Sequence, residues 1–259
     1  MAVERSRSRA RVGEDAVLGG RLILRQPLEG HRFGHDAILL AAAVTARLGE
    51  NAVDLGAGVG AAGLALARRV PGVTVTLVDV DPELAALAQE NAVRNGLAER
   101  VRAVCLDVAA TAAQFAAAGL GAGTVAQVLM NPPFHPPRHK HSPDRGRRLA
   151  HSAEAGTLDR FVRAALRLLR PKGALTLIWR ADGLDRVLAG LVDFGAVTVL
   201  PVHSKPQAPA IRVVVRAVKG SRAPLSLLPG FYLADDAGKP TAQAEAVLRE
   251  AAALPLGGD

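Results

Sequence analysis

The stretch Val53-Asp54-Leu55-Gly56-Ala57-Gly58-Val59-Gly60-Ala61-Ala62-Gly63 constrains this chain more than any other. An apolar run of strand length meets alternating glycines, and an alanine-rich helical pattern begins at once. Glycines in such a turn free the backbone to approach a ligand, and in open parallel sheets ligands sit beyond the carboxyl ends of the strands. The same alternation continues downstream. Val73–Val78, Val101–Leu106, Val125–Met130 and Ala174–Trp179 read as strands, with helical stretches ending near Asn95, Ala118 and Leu169. Val197–Val202 and Ile211–Val218 then follow without a helical pattern between them, which predicts an antiparallel hairpin at one edge. The expected fold is α/β: seven strands in a mostly parallel sheet, with helices on both faces.

Three parts are expected. Residues 1–19 form a basic arm, with Arg5, Arg7, Arg9 and Arg11, expected to be disordered. Residues 20–219 form the main domain, opening with a short strand at Arg21–Leu24 and an apolar helix from about Asp36. Residues 220–259 are an appendage of that domain, with a helix over Thr241–Ala252.

Acidic residues mark the strand ends. Asp79 is placed to accept hydrogen bonds from a ribose diol, and Asp81 to cap the helix that starts at Pro82. The glycines fit two registers. Gly58-x-Gly60-x-x-Gly63, with an acid 19 positions after Gly60, matches the dinucleotide fingerprint and would make the chain an NAD-binding oxidoreductase or binding module. Asp54-x-Gly56-x-Gly58-x-Gly60 resembles instead the first motif of class I methyltransferases. There Asp54 belongs to a ligand-side network near a methionine ammonium.

Asn131-Pro132-Pro133-Phe134, directly after the strand ending at Met130, decides between them. An exocyclic amine on a base or amide is a poor nucleophile, because its lone pair is delocalised. The Asn131 side-chain oxygen and the Pro132 carbonyl can accept its two N–H hydrogens and favour a pyramidal nitrogen. Pro132 and Pro133 stiffen the loop so that the acceptors are preorganised, and Phe134 can stack on a planar substrate. A dinucleotide site leaves this tetrapeptide unexplained.

With Gln26-Pro27, Gly30-His31-Arg32-Phe33-Gly34-His35-Asp36, Asp54 to Gly60, Asp79 and Asn131 to Phe134 in view, the chain resembles class I methyltransferases of the "small" Asn-Pro-Pro-Tyr/Phe group. Within it, the chain is most similar to the bacterial tRNA1(Val) adenine-N6 methyltransferases. The resemblance implies a Rossmann-like fold and S-adenosyl-L-methionine as cofactor. It further implies Phe33 and Asp36 packed over the cofactor, Asp107 at the adenine amino group, and tRNA as partner. A helix-capping Asp107 is the competing reading. Methylation of guanine N2 in rRNA or of a protein glutamine stays open beside adenine N6. His35 stands where the family would have a small or hydrophobic residue.

Arg138, Lys140, Arg145, Arg147 and Arg148 crowd the stretch after Phe134, read as a loop that either faces RNA or is simply solvated. The formal charge of +8 suits an anionic partner, and by itself does not choose between nucleic acid and a membrane surface. His135, His139, His141 and His151 share that stretch without a clear acidic or cysteine partner, so no metal is expected. The lone Cys105 is expected to be a buried small hydrophobe. A reducing, cytoplasmic setting is expected, with no membrane partner, since no apolar run reaches bilayer length.

Overall fold

Two strands precede the glycine loop. Val12–Val17 (β1) and Leu22–Pro27 (β2) pair antiparallel, and His35–Ala43 (α1) follows. The structure, a computed structural model, describes residues 11–29, 33–133, 143–254 and 256, the side chains of 143–155 excepted. Residues 12–17 of the expected basic arm are therefore a strand, which corrects the expectation of disorder there; Arg5, Arg7 and Arg9 lie outside the described residues.

The main sheet then builds from Asn51–Leu55 (β3), Thr74–Asp79 (β4), Val101–Cys105 (β5), Val125–Met130 (β6), Leu169–Arg180 (β7), Phe194–His203 (β8) and Ala210–Lys219 (β9). Two short pieces, Ser226–Leu227 (β10) and Phe231–Tyr232 (β11), add to the free edge of β8. The order across the sheet is β10-β8-β9-β7-β6-β3-β4-β5, and β9 alone among the long strands runs against the others. The expected α/β sheet with its antiparallel edge hairpin is what forms.

Ala61–Arg69 (α2), Pro82–Arg94 (α3), Ala112–Ala117 (α4), Pro143–Leu168 (α5), Leu184–Gly190 (α6) and Ala242–Glu250 (α7) complete the chain. Val125–Met130 is buried at every position, as a central parallel strand covered on both faces must be. One core lies on the α1/α2 side, around Leu39, Leu64 and Leu77; the other lies on the α5 side, around Leu55, Met130 and Trp179. The tail is built into the first core: Leu254 and Leu256 are buried there, and the Leu254 N–H donates to the Ala42 carbonyl at 2.9 Å.

Charged side chains close two helix ends. Arg69 donates to the Ala41 carbonyl at 2.9 Å and also to that of Val44, at the end of α1. Lys219 donates to the carbonyls of Leu166 and Leu169, each at 2.7 Å, at the end of α5. Each adds a donor to carbonyls at or just beyond a helix C-terminus.

Candidate active site

Because β3, β4, β5, β6 and β7 are parallel, their carboxyl ends share one rim. That rim carries Gly56–Gly60, Asp79, Asp107, Asn131 and Arg180 in one band. Gly56, Gly58 and Gly60 all have positive φ, at +71, +55 and +87 degrees, a region costly for residues with a Cβ. The loop is strapped to β4: the Gly56 and Ala57 N–H groups donate to the Val78 carbonyl at 2.8 and 3.0 Å. A Cβ at Gly56 would lie 2.9 Å from the Phe161 ring, whereas at Gly58 it would meet nothing within 4 Å. The loop is packed underneath and open above.

Gly60 offers α2 no side chain to cap it, and Asp54 takes over that role. Its carboxylate accepts from the Gly63 N–H at 2.8 Å, from a side chain only 2% exposed. Gly63 permits the approach, since a Cβ there would lie 2.2 Å from Leu77. Burial pushes the Asp54 carboxyl up to about 7; the Gly63 hydrogen bond opposes this rise, and the Asp79 charge adds to it. Asp54 acts from beneath the loop, through its fold.

Asp79 ends β4 half-buried. One carboxylate oxygen accepts from the Gly58 N–H at 2.7 Å and the other from the Asp81 N–H at 2.9 Å. Asp81 caps α3 as expected, accepting from Glu83 and Leu84. Asp107 is exposed, and its carboxylate accepts from the Ala109 N–H at 2.7 Å. It caps no helix, for Thr111 and Gln114 form the capping box of α4. Cys105 is exposed, against expectation, because β5 is an edge strand.

Asn131 follows Met130, which pairs with Leu55 of β3 on one side and Leu177 of β7 on the other. Pro132 and Pro133 come next and cannot donate to a ladder, so the chain leaves the sheet at its centre. The Asn131 Oδ1 atom is buried with no hydrogen-bond partner among the described residues. A buried amide oxygen left unpaired costs about 1–3 kcal/mol, and an acceptor at a strand end can take an incoming N–H; Gln127 Oε1, within the same strand, is also unpaired. Phe134, Arg138 and Lys140 lie outside the described residues, as do Gly30, His31, Arg32, His135, His139 and His141. Arg145, Arg147, Arg148 and His151 belong to the helical backbone of α5, where a loop was expected.

Phe33 and Asp36 belong to the N-terminal segment that leads into α1. The Phe33 N–H donates to the buried Gln26 side chain at 3.2 Å, and Gln26 in turn donates to Asp15 at 2.5 Å. Asp36 forms an ion pair with Arg212 of β9 at 2.7 Å, three strand positions from β3. It sits at the β9 side of the rim, separate from the glycine loop.

Asn91 was not among the expected site residues. It is fully buried on α3 and donates both to the Arg25 carbonyl at 2.9 Å and to the Val59 carbonyl at 3.0 Å, while accepting from the Arg25 N–H at 2.8 Å. One turn on, Asn95 repeats the pairing with both backbone groups of Ile23, at 2.9 Å each. The two amides stand in for a strand along the edge of β2 and tie the hairpin to the glycine loop. Their spacing of four along one helix face is the signal that points to them.

Fold and rim define a class I methyltransferase domain. The methyltransferase small domain family matches residues 32–201, and the chain belongs to it. The chain is 30% identical over 157 residues to the tRNA1(Val) (adenine(37)-N6)-methyltransferase of Porphyromonas gingivalis, a match covering 59% of this chain and 60% of that relative's length. It is 34% identical over 146 residues to the release factor glutamine methyltransferase of Chlorobaculum tepidum, covering 52% and 47% of the two chains. Among solved structures, a predicted O-methyltransferase from Agrobacterium tumefaciens superposes with a TM-score of 0.72 at 28% identity, covering 85% of this chain and 98% of that one. The dinucleotide register of the glycine loop thus gives way to the methyltransferase one.

S-adenosyl-L-methionine is the cofactor that goes with this family and fold. The rim fits it on two observations: open space above Gly58, and an Asp79 carboxylate that ties down the loop at the end of the neighbouring strand. Among the described residues no helix is long and apolar enough to cross a membrane.

Proposed function

We propose that this protein is an S-adenosylmethionine-dependent N-methyltransferase acting on adenine N6 in tRNA. The observation that carries the reading is the buried, unpartnered Asn131 Oδ1 at the end of the central strand, followed at once by two prolines. Asp79 and the Gly56–Gly60 backbone would hold the cofactor, with Asp107 toward its base and Phe33 above. When bound, the cofactor supplies an electrophilic methyl group on sulfur.

Asn131 Oδ1 and the Pro132 carbonyl each accept one N–H of the target amine, which localises its lone pair for in-line attack. The rigid Pro132-Pro133 step keeps both acceptors in position, so that reorganisation is small. Phe134 stacks on the base. Neither a metal nor a strong general base is called for. The stretch with Arg138, Lys140, Arg145, Arg147 and Arg148 follows the catalytic loop directly and suits the phosphates of an RNA. An unpaired or flipped adenine is the accessible form of the target.

The Porphyromonas relative's name supports the tRNA reading. The Chlorobaculum relative's name keeps a glutamine amide as the rival acceptor, since its NH2 group would meet the same two oxygens. Transfer of a labelled methyl group to separated RNA and protein, followed by nucleoside and amino-acid analysis, tests the two against each other. N6-methyladenosine in tRNA supports the proposal, and methylglutamine replaces it.

A further inference from the structure

Aromatic residues are scarce here, with six Phe, one Trp and one Tyr. Phe115, Phe161, Trp179, Phe194 and Phe231 are buried, whereas Tyr232 is 38% exposed. Its ring stacks on that of His203, centroids 5.1 Å apart and planes at 29°. β11 pairs parallel with β8, Tyr232 opposite His203, and β8 runs in the same direction as β6 and β7. The pair therefore stands on the same rim as Asn131.

The stack is pre-set by its surroundings. The His203 Nδ1 atom lies 2.7 Å from the Ala208 carbonyl, which fixes the ring. Gly230 leaves space for it, since a Cβ there would come within 2.8 Å of the imidazole. The Tyr232 carbonyl accepts from Thr241 Oγ1 at 2.8 Å, so the backbone under the ring is held as well. Lys205 is exposed on the adjoining loop, two residues beyond His203. A part-exposed aromatic ring stacked on a fixed imidazole, with an exposed lysine two residues along the chain from that imidazole, is suited to an unpaired nucleobase with its phosphate.

Four strand steps separate β6 from β11, about 19 Å at the usual strand spacing, too far to touch the base being methylated. We propose that His203, Tyr232 and Lys205 form a docking platform for a second, unpaired nucleotide of the same RNA. This rests on the RNA reading above. The platform supplies affinity and register and takes no part in the chemistry.

The test is binding and methylation of a synthetic RNA stem-loop with an adenine-containing unpaired loop, using Tyr232→Ala, Tyr232→Phe and Tyr232→Leu. Tyr232→Ala and Tyr232→Leu should weaken RNA binding roughly 5- to 100-fold and raise the RNA KM, with kcat and S-adenosylmethionine binding kept within about two-fold. Tyr232→Phe should bind like the parent. Tyr232→Leu retains apolar bulk, so a loss shared by both truncations with unchanged thermal melts belongs to the missing ring. RNA binding by Tyr232→Ala equal to that of the parent overturns the platform and leaves the RNA reading standing. A parent that binds no RNA overturns both.

Discussion

The Asp54 carboxylate accepts the Gly63 N–H at 2.8 Å and so caps, from the middle of a buried strand, a helix whose own N-cap is a glycine. Two demands compete there. The glycine loop needs Gly60 at φ +87, which leaves the start of α2 without a side-chain acceptor, and the strand beneath supplies one.

A pH dependence follows from that burial. The folded-state value of Asp54 is raised from 3.8 to about 7, so the native state binds more protons than the unfolded chain between those limits. Its contribution to stability is complete below about pH 4 and is lost as pH rises through about 7, a change on the order of 4 kcal/mol. Asp54→Asn keeps an acceptor for Gly63 and should flatten this part of the profile. Urea unfolding at pH 5 and pH 8 checks it; an unchanged difference between parent and variant would contradict the burial argument.

Asn131→Ala should leave cofactor binding within about two-fold and slow methyl transfer roughly 100- to 1000-fold, the scale of losing one preorganised acceptor at developing charge. Calorimetry beside single-turnover rates separates the two effects. Equal losses in both would make Asn131 a structural residue.

Asp79→Ala removes the acceptor that holds Gly58 and, on the proposed function, the ribose partner. Cofactor binding should weaken by about ten-fold or more, since hydrogen bonds to a charged group contribute about 1.5–3 kcal/mol. An unchanged Kd for S-adenosylmethionine would discard the ribose assignment.

Asn91→Ala strips the hairpin of one pair of hydrogen bonds and frees the Val59 carbonyl. Stability should fall by about 2 kcal/mol or more, and the cofactor KM should rise while kcat is held. Denaturant melts and saturation kinetics measure both. A stability loss with no change in KM would confine Asn91 to the fold.

Neutralising Arg145, Arg147 and Arg148 together should lower the slope of log K against log salt for RNA, by up to about 0.7–0.9 for each phosphate that these side chains neutralise in the parent. An unaltered slope would return that stretch to a solvated role.

The parallel strands were legible because strands covered on both faces read as continuous apolar runs, as Val125–Met130 does. β1 was not: Val-Gly-Glu-Asp-Ala-Val has no apolar alternation, and its partner strand is held at the other edge by Asn91 and Asn95. Cys105 read as buried because an apolar pattern does not reveal which strand ends the sheet. Asp54 was legible as important but not in its role, since its partner N–H belongs to a backbone nine residues on. The ion pair of Asp36 with Arg212 spans 176 positions, beyond the reach of any local pattern.

The most direct test of the central claim is transfer of a labelled methyl group from S-adenosylmethionine to separated tRNA, rRNA, DNA and protein, with Asn131→Ala run in parallel. The account predicts label in tRNA, recovered as N6-methyladenosine and transferred roughly 100- to 1000-fold more slowly by the variant. Label recovered as methylglutamine, as N2-methylguanosine or on a hydroxyl oxygen, or transfer undiminished in Asn131→Ala, would contradict it.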